Sequence, residues 1–121
     1  MTIPQISVFL ENKAGQLADI TGILSENQVN MRAINIAETA DYGVLRLIVD
    51  DAPRASSILL DQGFILTMTS VVGVAVPDTP GGLSRVLEVI SHARIDVEYM
   101  YSVFGQKDGQ ACMIFRVEDT D

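Results

Sequence analysis

The sequence predicts a protein of the α+β class in which one order of strands and helices occurs twice, the second time in a shortened form. Residues 6–17 align with residues 72–83 at an offset of 66, the separation of Gly15 and Gly81. Strand-like and helix-like hydrophobic periods follow each other in the same order in both halves. Of the 121 residues, 48% are hydrophobic and 20% are charged. This composition is typical of a folded core and excludes a disordered chain.

The first half begins with a strand, a helix and two further strands. Apolar and polar residues alternate at 6–10, which indicates a strand with one buried face. Apolar residues then recur at helical spacing, at Leu17, Ile20 and Leu24. Strand-like runs follow at 30–37 and 42–49. Because the run at 42–49 is apolar on both faces, we expect it to be central in a sheet or covered on both sides.

A second helix and a last strand complete the first half as βαββαβ. Pro53 falls in the first turn of this helix, and Gly63 lies just past its end. Residues 64–76 then form one long strand or two consecutive strands. Because this stretch leads directly into the repeated pattern, we expect two domains, residues 1–69 and residues 70–121.

The second half repeats the pattern and stops early. Its helix has apolar residues at positions i, i+3, i+4 and i+7: Leu83, Val86, Leu87 and Ile90. Thr79 is the expected N-cap and Pro80 the first helical residue. Strand-like runs follow at 96–104 and 110–117. The second copy is therefore expected to be about βαββ, so the fold is a ferredoxin-like module repeated in tandem.

The charge balance excludes polyanionic partners. Eight Lys and Arg against sixteen Asp and Glu give a formal net charge of -8, which repels nucleic acid and anionic membrane surfaces. The longest apolar stretch is too short and too often interrupted to span a bilayer, and the N-terminal residues lack a signal-peptide pattern. We expect a cytoplasmic protein with no nucleic acid and no membrane as partner.

The residue types of the chain do not favour a catalytic site or a metal site. The single histidine, His92, is expected to be a solvated cation at a helix end, and the single cysteine, Cys112, a small core residue. The acidic residues Glu118, Asp119 and Asp121 are expected to be solvated. No catalytic triad, metal site or cofactor loop can be assembled, so the protein is predicted not to be an enzyme and to carry no cofactor.

The corresponding loops at residues 11–17 and 77–83 join the first strand to the first helix of each half. A glycine-bearing loop before a helix N-terminus presents unpaired backbone N–H groups and the positive end of the helix dipole, which suit a carboxylate. An acceptor side chain beside each loop, Asn12 or Asp78, is suited to an ammonium group. A carboxylate with an ammonium group is a free amino acid.

The same loops have a simpler, structural explanation. Gly15 and Gly81 would only permit tight turns, and Asn12 and Asp78 would cap the N–H groups of their own loops. The residues alone leave both explanations open.

The run Asp78-Thr-Pro-Gly-Gly-Leu83, with the amphipathic helix that follows it, resembles the opening of an ACT domain. The first half matches at Asn12, Gly15 and Leu17, but Ala14 stands where proline is usual. With the element order and the repeat, this resemblance covers nearly the whole chain. The first half also resembles the regulatory subunit of acetolactate synthase.

The resemblance implies regulation by binding rather than catalysis. ACT modules typically pair side by side and hold amino acids between the loop of one module and the second strand of its neighbour. Transferred by position, the ligand-binding residues are Asn12, Ala14, Gly15, Leu17, Asp78, Pro80, Gly81 and Leu83 in the loops and Asn30 and Asp96 at the starts of the second strands. Asn35 and Tyr101 are further candidates by position.

The expected partners are a free amino acid, a second copy in a homodimer and a biosynthetic enzyme. The alternative is an assembly module or regulatory subunit with no ligand of its own. The incomplete second copy motivates this alternative, because it would leave apolar surface or a strand edge in need of cover.

Overall fold

The computed structural model describes residues 2–11, 15–38, 42–104 and 109–117. Within these residues the chain forms six strands and three helices in the predicted order. The elements are β1 (Thr2–Glu11), α1 (Gln16–Glu26), β2 (Met31–Glu38), β3 (Tyr42–Val49), α2 (Ala52–Asp61), β4 (Ile65–Pro77), α3 (Gly82–His92), β5 (Val97–Ser102) and β6 (Gln110–Val117). No helix of the described residues is long and apolar enough to cross a membrane.

The chain divides into two compact units. The first unit spans Pro4–Thr69, and the second starts at Ser70 and also takes in Ile3 from the beginning of β1. The stretch predicted as one or two strands at residues 64–76 is the single strand β4, which contributes residues to both units.

The first unit is a complete βαββαβ module. Its strands lie in the order β2-β3-β1-β4, and β3 is antiparallel to both of its neighbours, with Leu47 opposite Ile6 on β1 and Ile34 on β2. This order is the ferredoxin-like arrangement expected from the sequence. The prediction that the third strand is central is confirmed, and Ile48 is buried on the opposite face from Leu47.

The core of the first unit joins two strands, β1 and β3, to both helices. Its members are fully or almost fully buried: Ile6, Val8, Leu10, Ile20, Leu24, Val29, Leu45, Leu47, Ala52, Ala55 and Leu59. Leu17 is 40% exposed, so the buried stripe of α1 begins one turn later than the spacing predicts, at Ile20. Burial of these aliphatic side chains is the main force that holds α1 and α2 on the sheet.

The ends of α2 follow their sequence signals. The Asp51 side chain accepts a hydrogen bond from the Arg54 N–H at 3.2 Å, which caps the helix, and Pro53 occupies its first turn. Gly63 follows the C-cap residue Gln62 with a φ of 90°. Glycine adopts this left-handed conformation after a helix at lower cost than residues with a Cβ atom.

The second unit has three strands in the order β4-β6-β5, with Val76 opposite Ala111 and Met100 opposite Phe115. A Cβ atom at Gly73 would lie 2.5 Å from Cδ1 of Ile3. The absence of a side chain at Gly73 therefore makes the room in which Ile3 packs.

Among the described residues, α3 is the helix of the second unit. The residues of its apolar stripe are only half buried: Leu83, Val86, Leu87 and Ile90. Val89 on the same helix is 69% exposed, while the strand residues Ile114 and Phe115 are buried. The described residues end with β6, so Glu118, Asp119 and Asp121 lie outside them.

Two predictions about single residues can be compared directly with the structure. His92 is exposed in the last turn of α3, as predicted. Cys112 is half buried on β6, opposite Ala75, so it lies at the margin of the second unit rather than in its core.

Candidate ligand-binding loops

The loops before α1 and α3 have the same backbone conformation at their glycines. Gly15 has a φ of 88° and Gly81 a φ of 86°, and each immediately precedes the first residue of its helix. Residues other than glycine rarely adopt this left-handed backbone conformation. The repeat seen in the sequence is therefore a repeat of loop geometry. Asn12 and Ala14 lie outside the described residues.

The prediction that Thr79 caps α3 and that Pro80 begins it is wrong. The helix begins at Gly82, with Gly81 as N-cap residue, and the Gly82 N–H donates to the Thr79 carbonyl at 3.0 Å. Thr79 and Pro80 thus form a turn ahead of the helix. The left-handed φ of Gly81 interrupts the helical path that the Thr-Pro pair would have started.

The N-terminus of α3 has no side-chain cap among the described residues. The Arg85 N–H donates to the Gly81 carbonyl at 3.1 Å, which closes the first helical turn. The backbone N–H groups of Leu83 and Ser84 lie in that turn, where the helix itself supplies no acceptors. Together with the helix dipole, they form a weakly electropositive site that suits an anion.

Arg85 adds a full positive charge at this site. A Cβ atom on Gly81 would lie 3.8 Å from the Arg85 guanidinium nitrogen Nη2, so the cation lies beside the loop glycine. The aligned residue of the first repeat, 66 positions earlier, is Asp19, an acidic residue in the first turn of α1. The second loop therefore favours a carboxylate, whereas the carboxylate of Asp19 disfavours one at the first loop.

Arg85 was not among the residues singled out from the sequence. The signal was present in the alignment of the repeats, where a basic residue replaces an acidic one in the first turn of the helix. The loop motif ends at Leu83, so it includes the glycines and Asp78 but not Arg85, which lies in the first turn of the helix.

Gly82 is the second position that sequence reasoning overlooked. It is buried, and a Cβ atom there would overlap the backbone carbonyl oxygen of Pro77. The chain therefore approaches the start of α3 too closely for any side chain. The first repeat has Gln16 at this position, and its Oε1 atom is buried without a hydrogen-bond partner. The two loops thus differ in packing as well as in charge.

Asp78 lies in the second loop, between β4 and the glycine pair. Its side chain is exposed, and its backbone N–H donates to the Gly109 carbonyl at 2.9 Å, which ties the loop to the residue before β6. Pro80 is exposed and Leu83 is half buried. Asp78, Pro80, Gly81 and Leu83 are therefore together around the N-terminus of α3.

Asn30 and Asp96 are not brought to the loop of their own unit. Each follows the helix that begins at the loop, and a helix of 11 residues is about 16 Å long. Asn30 is held by Asp50, whose Oδ1 accepts from the Asn30 N–H at 3.2 Å and whose own N–H donates to the Asn30 carbonyl at 3.1 Å. Asp96 is exposed.

The two further candidates have structural contacts. The Asn35 Oδ1 atom accepts a hydrogen bond from Arg46 Nη1 at 3.0 Å. Tyr101 is buried, and its ring stacks on that of Tyr99 with 6.4 Å between the centroids. These contacts give both residues a structural role within the sheet.

A complete ferredoxin-like module followed by a shortened copy, each with a helix that starts directly after a left-handed glycine, defines a tandem-module fold. The chain belongs to the ACT domain pair family, whose model matches residues 1–121. ACT domains are regulatory domains that bind small molecules, often amino acids.

Solved structures similar to this chain share the whole fold. Protein BT0572 from Bacteroides thetaiotaomicron is 39% identical with a TM-score of 0.90, over 98% of this chain and 81% of that one. The ligand-free regulatory subunit of aspartate kinase from Thermus thermophilus is 15% identical with a TM-score of 0.67, over 93% and 81%. The corresponding Thermus flavus subunit is 13% identical, with a TM-score of 0.62 and the same coverage. At 15% and 13% identity, the similarity of the two Thermus subunits shows a shared fold and does not extend to a shared function. Comparison with curated proteins gave no match.

Proposed function

We propose that this protein binds a free amino acid at the loop before α3 and that binding changes its association with itself or with an enzyme of amino-acid metabolism. The observation that carries the proposal is the uncapped, glycine-started N-terminus of α3 with the Arg85 guanidinium beside Gly81. The backbone N–H groups and Arg85 would hold the ligand carboxylate. Asp78 would accept hydrogen bonds from the ammonium group.

The remaining predicted residues have secondary places in this proposal. Pro80 and Leu83 would line the same loop. The first loop, with Asn12, Ala14, Gly15 and Leu17, would bind a carboxylate more weakly because of Asp19. Asn30 or Asp96 would complete a site only from a neighbouring module, since each lies at the far end of its own helix.

The proposal includes the organisation of the protein. Domains at residues 1–69 and 70–121 would be the two ACT modules, and a homodimer would bring loops and second strands of different modules together. The similar Thermus thermophilus protein is a regulatory subunit of aspartate kinase, and this supports an enzyme of amino-acid metabolism as a partner here. A cytoplasmic location accords with this role, and no catalytic activity is proposed.

A thermal-shift screen of the intact protein against the twenty standard amino acids tests the ligand. A ligand that binds only the folded state at 100 times its Kd should stabilise the protein by about 2.7 kcal/mol and raise Tm. Arg85→Gln should weaken binding about tenfold through loss of a charged hydrogen bond, worth about 1.4 kcal/mol or more. Arg54→Gln, which removes the same charge from the exposed start of α2, is the matched control. No shift with any amino acid at saturation would overturn the proposal.

The alternative function is an assembly module without a ligand. The half-buried stripe of α3 favours it, because its side chains and the exposed Val89 leave apolar surface on the second unit. Sedimentation equilibrium at micromolar concentration should then show a dimer whether or not amino acids are present. A monomer that forms no stable complex in a pull-down would contradict this alternative.

A further inference from the structure

A groove of about 540 Å³ runs along α1 in the first unit. We call it the α1 groove. It lies between α1, which contributes Asp19, Gly22, Ile23 and Glu26, and the segment after α2, which contributes Gln62 and Phe64. All of these residues belong to the first unit.

The charged residues that line the α1 groove, Asp19 and Glu26, are both acidic. Asp19 and Glu26 are exposed and stand seven residues apart, so they lie two helical turns or about 10 Å apart on the same side of α1. Neither carboxylate forms an ion pair with a residue that the structure describes. No lysine or arginine lines the groove.

The middle of the groove is apolar and open. Ile23 and Phe64 are half buried there, and a Cβ atom on Gly22 would meet nothing within 4 Å. Glycine within a helix is destabilising relative to alanine, and here no close approach or positive φ within the chain requires it. The space above Gly22 therefore remains free for a group from outside.

We propose that the α1 groove docks two basic side chains, lysine or arginine, from a helix of a partner protein. Their aliphatic stems would lie on Ile23 and Phe64 and their charged ends at Asp19 and Glu26. Basic residues seven apart on a second helix match the spacing of the two carboxylates. The net charge of -8 adds long-range attraction to such a partner. The amino-acid site at α3 plays no part in this docking.

The test uses an alanine-based helical peptide with two lysines seven residues apart, acetylated and amidated at its ends. Because its ends are blocked, it has no α-carboxylate or α-ammonium group for the loop before α3. Titration of the intact, isotope-labelled protein at low ionic strength should shift the backbone amide signals of residues 18–26 and 62–64. The same peptide with glutamate in place of both lysines should leave these signals unchanged.

Matched variants test whether the groove carboxylates are responsible. Glu26→Gln should weaken peptide binding by up to about fivefold, and Asp19→Asn with Glu26→Gln by up to about 25-fold, as expected for exposed ion pairs. Glu88→Gln removes the same charge from α3, at the position that aligns with Gly22, and should leave the affinity unchanged. Gly22→Leu should fill the groove and abolish binding, with the signals of the other residues retained.

Four results would overturn the proposal. They are an absence of shifts at saturating peptide, shifts centred elsewhere on the protein, equal weakening by Glu26→Gln and Glu88→Gln, and binding of spermidine as tight as that of the peptide. Equal weakening would mean unspecific attraction to a negative surface. Tight spermidine binding would mean that the groove takes a small free amine instead of a protein helix.

Discussion

At the scale of single residues, the left-handed glycines Gly15 and Gly81 directly precede α1 and α3 and mark where these two helices start. Gly81→Ala is predicted to lower the free energy of unfolding by about 1 to 2 kcal/mol, because a φ of 86° is strained for any L side chain. Urea unfolding followed by circular dichroism measures this change. Gly81→Asn should cost less, since asparagine tolerates the left-handed region better. Equal stability of the alanine variant and the parent would contradict the loop geometry.

Gly82 and Gln16 occupy aligned positions in the two repeats, but only Gly82 is crowded by the backbone. Gly82→Ala is predicted to destabilise the protein by about 1 to 3 kcal/mol, because the added methyl group would overlap the Pro77 carbonyl. Gln16→Ala, at the aligned position, should be neutral or slightly stabilising, since it removes a buried acceptor that has no partner. Urea denaturation of both variants checks the contrast, and similar losses from the two substitutions would contradict it.

The sequence allowed part of the site to be predicted at this scale. Its loop glycines predicted a repeated turn, and both adopt the same left-handed conformation. The start of α3 was not predicted correctly, because Thr79-Pro80 is an ordinary cap-and-proline signal and only the φ of Gly81 shows that the helix begins later. The proximity of Arg85 to Gly81 depends on a side-chain conformation that hydrophobic periodicity does not report.

At the scale of elements, α1 contains one residue that weakens it. Gly22→Ala is predicted to raise the free energy of unfolding by about 0.5 to 1 kcal/mol, because alanine is the better helix former and its methyl group meets open space. Thermal and urea unfolding measure the gain. Gly63→Ala is the control, and it should lower stability because Gly63 has a φ of 90°. A loss of stability on Gly22→Ala would show that the space above α1 is not free.

The helices of the two units differ in how firmly they are buried. Leu59 on α2 is fully buried, so Leu59→Ala is predicted to cost about 2 to 5 kcal/mol. Leu87 on α3 is half buried, and Leu87→Ala should cost roughly half as much. Calorimetric unfolding of the two variants compares the helices directly. Equal costs would mean that α3 is covered as completely as α2.

The order of elements was predictable because hydrophobic period and turn residues agree along most of the chain. The alternation at 6–10, the capping signals of α2 and the i, i+3, i+4, i+7 stripe of α3 each correspond to the element expected. The degree of burial was less predictable. The stripe of α3 fits the helical template fully, yet its side chains are only half buried. Periodicity gives the direction in which a side chain points, and burial depends on what lies opposite it.

At the scale of the whole molecule, the repeat explains why the chain divides into two units, each with strands and at least one helix. The sequence alignment predicted two copies, but it did not indicate that Ile3 joins the second unit through Gly73. That contact depends on a strand that contributes residues to both units, which an alignment of the copies cannot display. The positions of Asn30 and Asp96 at the far ends of their helices likewise emerge only in three dimensions.

The proposed regulatory role predicts that ligand and assembly are coupled. Sedimentation velocity of the intact protein should show a change in the monomer-dimer balance when the amino acid that gives the largest thermal shift is added. The physical reason is linkage, because a ligand that binds one association state better must shift the equilibrium toward that state. Gly81→Val should abolish the change by crowding the carboxylate site. A thermal shift without any change in the monomer-dimer balance would show that the ligand binds but does not regulate assembly, which would contradict the proposed role.

A crystal structure of the intact protein with this amino acid bound tests the central claim most directly. The predicted result places the ligand carboxylate within hydrogen-bond distance of the backbone N–H groups of Leu83 or Ser84 and of the Arg85 guanidinium, with the ammonium group toward Asp78. A ligand bound away from the N-terminus of α3, or a loop before α3 that stays empty at saturating ligand, would contradict the account.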